Sequence, residues 1–343
     1  MMMNKQAFAA AAAALFAAPL AAQHDIETVC QASVPVAASE QCAVVAQAVD
    51  AAQPQLGILM AGGNPTLGTA STGGVRLGLI PRVSLTGRIN VVGARLPDIR
   101  QDAEGEAEKF SVPVPAVGAN LSVGLTQGFS VAPMIGGFGA IDLLGSVSVL
   151  PLSLVGDDFG DNAFSWGAGA RVGLIRESFV TPGVSVSLMY RSLGDVSFGE
   201  VCEGTEVPAG DNRTVCSTDG DFGEIEFGLD NWSARAAISK RLLGLGLTAG
   251  VGYDRFETGA DFAFRAPGPP AGTEQVYRFN DVAVDNDRWS AFLDASFTIL
   301  FGSLVAEAGW MQGSEAIQGF PSTSDFDPGK GTFFGSLGAR LSL

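Results

Sequence analysis

The chain has 343 residues, a formal net charge of −16 and a single histidine, His24. The negative charge argues against a nucleic-acid partner, and an apolar content of 47% argues against disorder. Past the N-terminus, no stretch approaches the roughly 18 to 20 uninterrupted apolar residues of a membrane helix.

The first 23 residues, "MMMNKQAFAAAAAALFAAPLAAQ", carry a charged start at Lys5, an apolar run from Ala7 to Ala18 and the small-residue ending "LAAQ". This pattern predicts a secretory signal peptide over 1–23, cleaved near Ala22 or Gln23. Residues 24–54 form a second unit. In "SEQCAVVAQAVDAA", Ser39 is a candidate N-cap, and Val44, Val45, Ala48 and Ala51 recur at helical spacing. A short helix is expected here, either plugging a lumen or hanging in the periplasm. The four cysteines fall in two close pairs. Export to an oxidising compartment predicts two local disulfides, Cys30–Cys42 and Cys202–Cys216. Zinc is disfavoured by the long spacings and the lone His24.

From residue 55 to 343 the dominant signal is period two. In "WSAFLDASFTILFG" (289–302), Trp289, Ala291, Leu293, Ala295, Phe297, Ile299 and Phe301 form one row, opposed by Ser290, Phe292, Asp294, Ser296 and Thr298. Eleven candidate strands follow: 73–80, 82–93, 114–126, 128–139, 164–175, 182–194, 223–241, 244–258, 287–301, 303–315 and 331–343. "QLGILMAGG" (55–63) is the candidate twelfth. Short turns alternate with long segments at 94–113, 140–162, 195–222, 265–286 and 317–330. That layout predicts an all-β fold, a transmembrane antiparallel up-and-down barrel of about 12 strands, with 14 as the alternative count. A soluble sandwich alternates as well. Strands of about 9–13 residues with aromatics near their ends favour the barrel over the usual strand of about 5–6 residues.

The inward row carries charge at Arg76, Arg88, Arg171, Arg191, Arg235, Arg340, Asp254, Asp294 and Glu307. These residues make either a cationic constriction that grips anions or a network of ion pairs that fills the lumen and anchors the plug. Pro133, Gly136 and Gly137 interrupt the candidate strand 128–139. They predict a kink in the wall, covered or lined by the apolar stretch after it. No catalytic constellation is visible, and one histidine excludes Ser–His chemistry. The chain is therefore not expected to be an enzyme, and nothing calls for a cofactor or metal.

"GGNPTLG" places Asn64-Pro65 after the predicted N-terminal segment. With the signal peptide, lumen segment and medium-sized barrel, it resembles the long-chain fatty-acid outer-membrane transporter family. That family keeps Asn-Pro-Ala after its hatch, and here Thr66 replaces the alanine. The resemblance implies a channel or transporter for small hydrophobic molecules, with a lateral exit at the kinked strand. The alternatives are a porin-like pore for small polar or anionic solutes and a structural or adhesive surface barrel. The expected location is the outer membrane. The expected partners are its lipids, a small-molecule substrate and, through the terminal strand "FFGSLGARLSL", the barrel-assembly machinery.

Overall fold

A computed structural model describes residues 25–76, 80–102, 105–130, 136–154, 159–160, 162–210, 213–268, 273–299 and 302–342. The predicted signal peptide lies outside the described residues. Two helices, α1 (Asp25–Ser33) and α2 (Ser39–Ala61), precede fourteen strands. Ten of these close into one antiparallel ring: β3 (Val83–Pro97), β4 (Lys109–Gly124), β5 (Ala140–Leu150), β6 (Ala163–Ile175), β7 (Gly183–Phe198), β10 (Gly223–Leu242), β11 (Leu245–Gly268), β12 (Thr273–Ile299), β13 (Gly302–Met311) and β14 (Thr332–Ser342). The C-terminal strand β14 pairs with β3 and completes the ring. A hairpin of β8 (Glu206–Gly210) and β9 (Arg213–Cys216) stands outside it, on β12 through Val276↔Thr214.

The faces follow from alternation. Along β12, Leu293 is 67% exposed and Asp294 only 2%. Trp289, Ala291, Ala295, Phe297 and Ile299 point outward with Leu293, whereas Ser290, Phe292 and Ser296 are buried. Exposed leucines, valines and aromatics continue this outer face around all ten strands.

The strand count is ten rather than twelve, and each difference has a physical cause. Residues 55–63 are not wall. Residues 55–61 are the end of α2 and 62–63 follow it; the described side chains from Gln41 to Ala61 are all buried, so this mostly apolar end of a fully buried helix imitates a short strand. The wall therefore begins at Val83, not at 55. Ser39 is the first residue of α2 and bonds its hydroxyl back to Val36 O; Ala38 is the N-cap. Within 73–80, β1 (Val75–Arg76) and β2 (Ile80–Pro81) pair with each other outside the ring. The described residues of 128–139 form no wall strand; Phe129 bridges Phe138 in the connection between β4 and β5. The wall strand is instead β5, inside what reads as a loop. Its inward row mixes Ala140, Leu144 and Leu150 with Asp142, Ser146 and Ser148, so the apolar residues on both rows blur the alternation. Residues 265–286, also expected as a loop, continue β11 and β12 as a long ribbon from Leu245↔Phe297 to Gly268↔Thr273.

Helix α2 threads the lumen. Gln55 exchanges hydrogen bonds with Arg95 (2.7 and 2.8 Å), Leu59 O accepts from Asn90 Nδ2 (2.7 Å), and Asn64 O accepts from Arg88 Nη1 (3.2 Å). These partners descend β3, which runs from the short-turn end to the long-loop end. The helix runs the other way, with its N-terminus among the long loops, where Gln47 Oε1 accepts from Ile317 N (2.9 Å).

Both disulfides form, with Cα–Cα separations of 5.6 Å for Cys30–Cys42 and 5.3 Å for Cys202–Cys216. Cys30–Cys42 ties α1 to α2. Closing so short a loop is worth roughly 3 kcal/mol by chain entropy. Double substitution of Cys30 and Cys42 by serine should expose residues 25–38 to limited proteolysis while the barrel core stays resistant. Equal resistance of both proteins would show that the bond contributes nothing to plug order.

Candidate functional site

The helix ends at Gly62, and the chain continues as "GGNPTLGTASTGG" (62–74) down the lumen. Gly62 has φ +60, and a Cβ there would stand 1.9 Å from Arg88 Nη2. Glycine is thus required both for the backbone conformation and for the close approach. Higher up, a Cβ on Gly57 would meet Phe256 Cε1 at 2.1 Å, so α2 rests directly on that ring.

Inward charges from seven strands converge on this segment. Glu307 accepts from Gly63 N (3.0 Å), Asn64 N (2.7 Å), Arg88 Nη2 (3.0 Å) and Ser336 Oγ (2.8 Å). Asp294 accepts from Asn64 Nδ2 (2.7 Å) and Gly68 N (2.8 Å). Arg235 Nε donates to Gly63 O (2.9 Å) while its Nη2 meets Asp254 (2.9 Å). Arg340 Nη1 donates to Leu67 O (2.9 Å). Arg171 pairs with Asp142 (2.6 Å) and bonds Thr66 Oγ1. Asp142 in turn accepts from Gly73 N (3.0 Å). Buried charges paired in this way specify one position for the segment they hold, although Asp294 Oδ1 and Asp254 Oδ2 have no hydrogen-bond partner. Asn64 is the centre of the collar: its backbone and side chain reach Glu307, Asp294 and Arg88.

Seven of the nine inward charges read from sequence therefore belong to one collar. Arg191 is buried nearby but donates to Ser233 Oγ (2.7 Å) and Met189 Sδ (3.2 Å) instead of reaching the segment. The side chain of Arg76 falls outside the described residues. Three charged residues were missed. Asp142 sits in the unrecognised strand β5, where Ser146 and Ser148 on the same row were the available signal. Asp50 and Arg288 pair at 3.4 Å between helix and wall. The expected wall kink is corrected as well. Gly136 and Gly137 stand in the β4–β5 connection, where Gly136 O accepts from Arg176 N (2.7 Å) and Gly137 has φ +83. Pro133 lies outside the described residues.

Toward the long-loop end the interior changes character. Leu56, Val92, Leu96, Val114, Val196 and Phe198 surround an apolar cavity of about 30 Å³ beside α2, with Phe110 and Phe159 at its edge. Phe159 stacks on Phe198 at 4.7 Å and Phe110 lies 5.5 Å from it. Gln55 is the one polar residue lining this cavity, and its amide is engaged with Ala51 O and Arg95. Among the described residues no cluster of three or more His, Cys, Asp or Glu could hold a metal.

A closed ring of antiparallel strands, apolar outside and charged within, has the architecture of the bacterial outer-membrane β-barrels. The chain is distantly similar to several solved members of that class. Against the outer-membrane protease OmpT of Escherichia coli, identity is 12% over 77% of this chain and 96% of that one, with a TM-score of 0.36. The translocator domain of the autotransporter NalP of Neisseria meningitidis gives 11%, 78%, 89% and 0.36. The toluene transporter TodX of Pseudomonas putida gives 10%, 83%, 96% and 0.29. No family model and no curated protein sequence matches the chain. The likenesses are loose, and the functional reading rests on the chain's own geometry.

Proposed function

We propose that this protein is an outer-membrane transporter for small hydrophobic molecules, held closed by its own N-terminal plug. The observation that carries the reading is the apolar seam between α2 and the wall at the long-loop end. Its cavity of about 30 Å³ is far below the roughly 300–1,000 Å³ of a ligand pocket, so it marks the path an apolar solute would take once the plug moves, and not a formed site. An open diffusion pore fits less well, because α2 occupies the lumen with every described side chain from Gln41 to Ala61 buried. The passage is proposed to follow the plug–wall interface and to open when the collar around Asn64 lets go. A lateral exit at 136–137 is not part of the proposal, since those glycines stand in a connection and not in the wall.

Membrane placement is supported by the outer face. Trp166, Tyr190, Trp232, Tyr253, Trp289, Trp310 and Phe333 line up across seven consecutive strands, with Trp166–Tyr190, Tyr190–Trp232 and Tyr253–Trp289 rings 5.7, 5.1 and 5.2 Å apart. From this girdle about ten residues of exposed apolar alternation lead to the short turns, as from Trp289 to Ile299 or Trp232 to Leu242. A tilted strand needs about 9–11 residues to span a bilayer. The long loops then face outward, the N-terminus of α2 lies on the outer side, and the ribbon of β11 and β12 projects beyond the headgroups. Outer-membrane lipids are the proposed partners of the belt. The assembly machinery is the proposed partner of β14, the strand that closes the ring.

Two measurements test this. All four tryptophans of the chain sit on the girdle, so lipids brominated high on the acyl chain should quench most of the tryptophan fluorescence. Lack of quenching would remove the protein from the bilayer. For transport, cells expressing the protein should take up a small aromatic tracer saturably. Ala52→Leu, which fills the apolar cavity from the helix side, should lower that uptake severalfold without changing assembly. Uptake indifferent to this change would discard the cavity as the route.

A further inference from the structure

The mouth of the barrel at the short-turn end holds a second cavity, of about 340 Å³. Its chemistry is the opposite of the apolar one. Arg82, Arg171, Arg241 and Arg340 line it, together with hydroxyl side chains from the wall and from the plug segment, and among the described residues no carboxylate side chain does. Arg171 and Arg340 are 3% and 7% exposed and form its inner part, while Arg82 and Arg241 are exposed at the rim.

The local charges do not cancel. Arg171 is paired with Asp142 (2.6 Å), and Arg241 stands 3.7 Å from Glu177. Among the described residues neither Arg82 nor Arg340 has a carboxylate partner; the guanidinium of Arg340 donates to the neutral Leu67 O. The nearby Asp294 is engaged by Asn64 and Gly68. Two guanidiniums around one cavity therefore have no carboxylate in ion-pair contact among the described residues, though Asp294 and Glu177 lie near Arg340, in a chain whose net charge is −16. A separate observation points the same way. Thr72 lines the cavity, is 6% exposed, and its Oγ1 has no hydrogen-bond partner. Buried hydroxyls are normally satisfied; this one is a donor without an acceptor, turned against Gly173, and a rotation would bring it to an anion beside Arg82 and Arg340.

We propose that this mouth binds a phosphate-class oxyanion, either free or as a lipid headgroup. Guanidinium forks and hydroxyls converging from several directions suit a tetrahedral anion with three or four acceptor oxygens better than a planar carboxylate. The anion would touch Thr72 on the plug and Arg340 on the wall, and so bridge the two. Its binding favours the closed state, because only the seated plug presents Thr72 to it. The inference goes beyond the transport reading and does not depend on it: a barrel that moves no hydrophobic solute could still carry this site.

The test uses the full mature chain in a phosphate-free maltoside detergent. Inorganic phosphate is titrated in one arm, and a short-chain phosphatidic acid in the other, with the thermal midpoint and an equilibrium affinity as readouts. A saturable rise with inorganic phosphate identifies a free anion; a rise with the lipid alone identifies a headgroup. In either case Arg340→Gln should weaken binding about tenfold or more, as expected for a lost charge-assisted hydrogen bond. Arg82→Gln, an exposed change that leaves packing intact, should weaken it severalfold. Arg255→Gln, at an exposed arginine paired with Glu257, should leave it unchanged. No stabilisation in either arm, or equal stabilisation of wild type and both mouth variants, would overturn the proposal.

Discussion

Glu307→Ala should release the plug. In the native protein this carboxylate accepts four hydrogen bonds, two from plug backbone groups, one from Arg88 and one from Ser336. Its side chain and that of Arg88 are both out of solvent. Removing the carboxylate strands a buried arginine, a change that typically costs about 3–5 kcal/mol. The wall ladder does not pass through Glu307's side chain, so the cheapest relief is withdrawal of residues 62–68 and hydration of Arg88. That shifts the closed–open balance by roughly a hundredfold to a few thousandfold, at 1.4 kcal/mol per factor of ten. In planar bilayers the wild type should be mostly silent and Glu307→Ala should conduct steadily. Replacing the pair together, Arg88→Met with Glu307→Leu, should restore much of the silence, because an apolar pair leaves no stranded charge. A Glu307→Ala protein as silent as wild type would mean that the collar does not hold the plug.

How much of this was legible in the sequence depends on what surrounds each segment. Where one face meets an apolar exterior and the other a polar lumen, alternation separates outward from buried side chains, as for Leu293 against Asp294. The same row identified Arg88, Asp294 and Glu307 as inward-facing. It could not say that they meet one another around Asn64, because register between β3, β12 and β13 is a property of the closed ring. Legibility failed where both environments have the same polarity. Strand β5 is apolar outside and partly apolar inside, so it lost its period. Helix α2 is buried on every side, so it has no polar face to mark it, and Leu56, Ile58 and Met60 passed for a strand. In the ribbon beyond the girdle, acidic residues such as Asp281, Asp285 and Asp287 suggested a loop. The inward alternation of Val282, Val284 and Asn286 was there to be read. The two apolar cavity walls, one from α2 and one from the barrel, likewise meet only through the fold.

The register itself has a sharp test at two adjacent residues. Ala295 is exposed near the middle of the apolar belt and pairs with Leu247 and Ala306 on its neighbours. An arginine there must reach into the hydrocarbon, at a cost of about 2–4 kcal/mol near the midplane. Ala295→Arg should therefore strongly reduce the folded fraction recovered in membranes. Ser296 points the other way and is buried. Its Cβ lies 3.1 Å from where a Cβ on Gly68 would stand, and its Oγ 2.4 Å from that of Gly246. The lumen at this level has no room for an arginine while the plug is seated. It becomes a hydrated and tolerant surface only when residues 62–68 withdraw. Ser296→Arg should thus assemble in near-normal yield but conduct, whereas Ala295→Arg should fail before conductance can be measured. The reverse order would place the whole of β12 one residue out of register and turn Asp294 toward lipid. Normal assembly together with silence for Ser296→Arg would leave the barrel intact but remove residues 62–68 from its lumen.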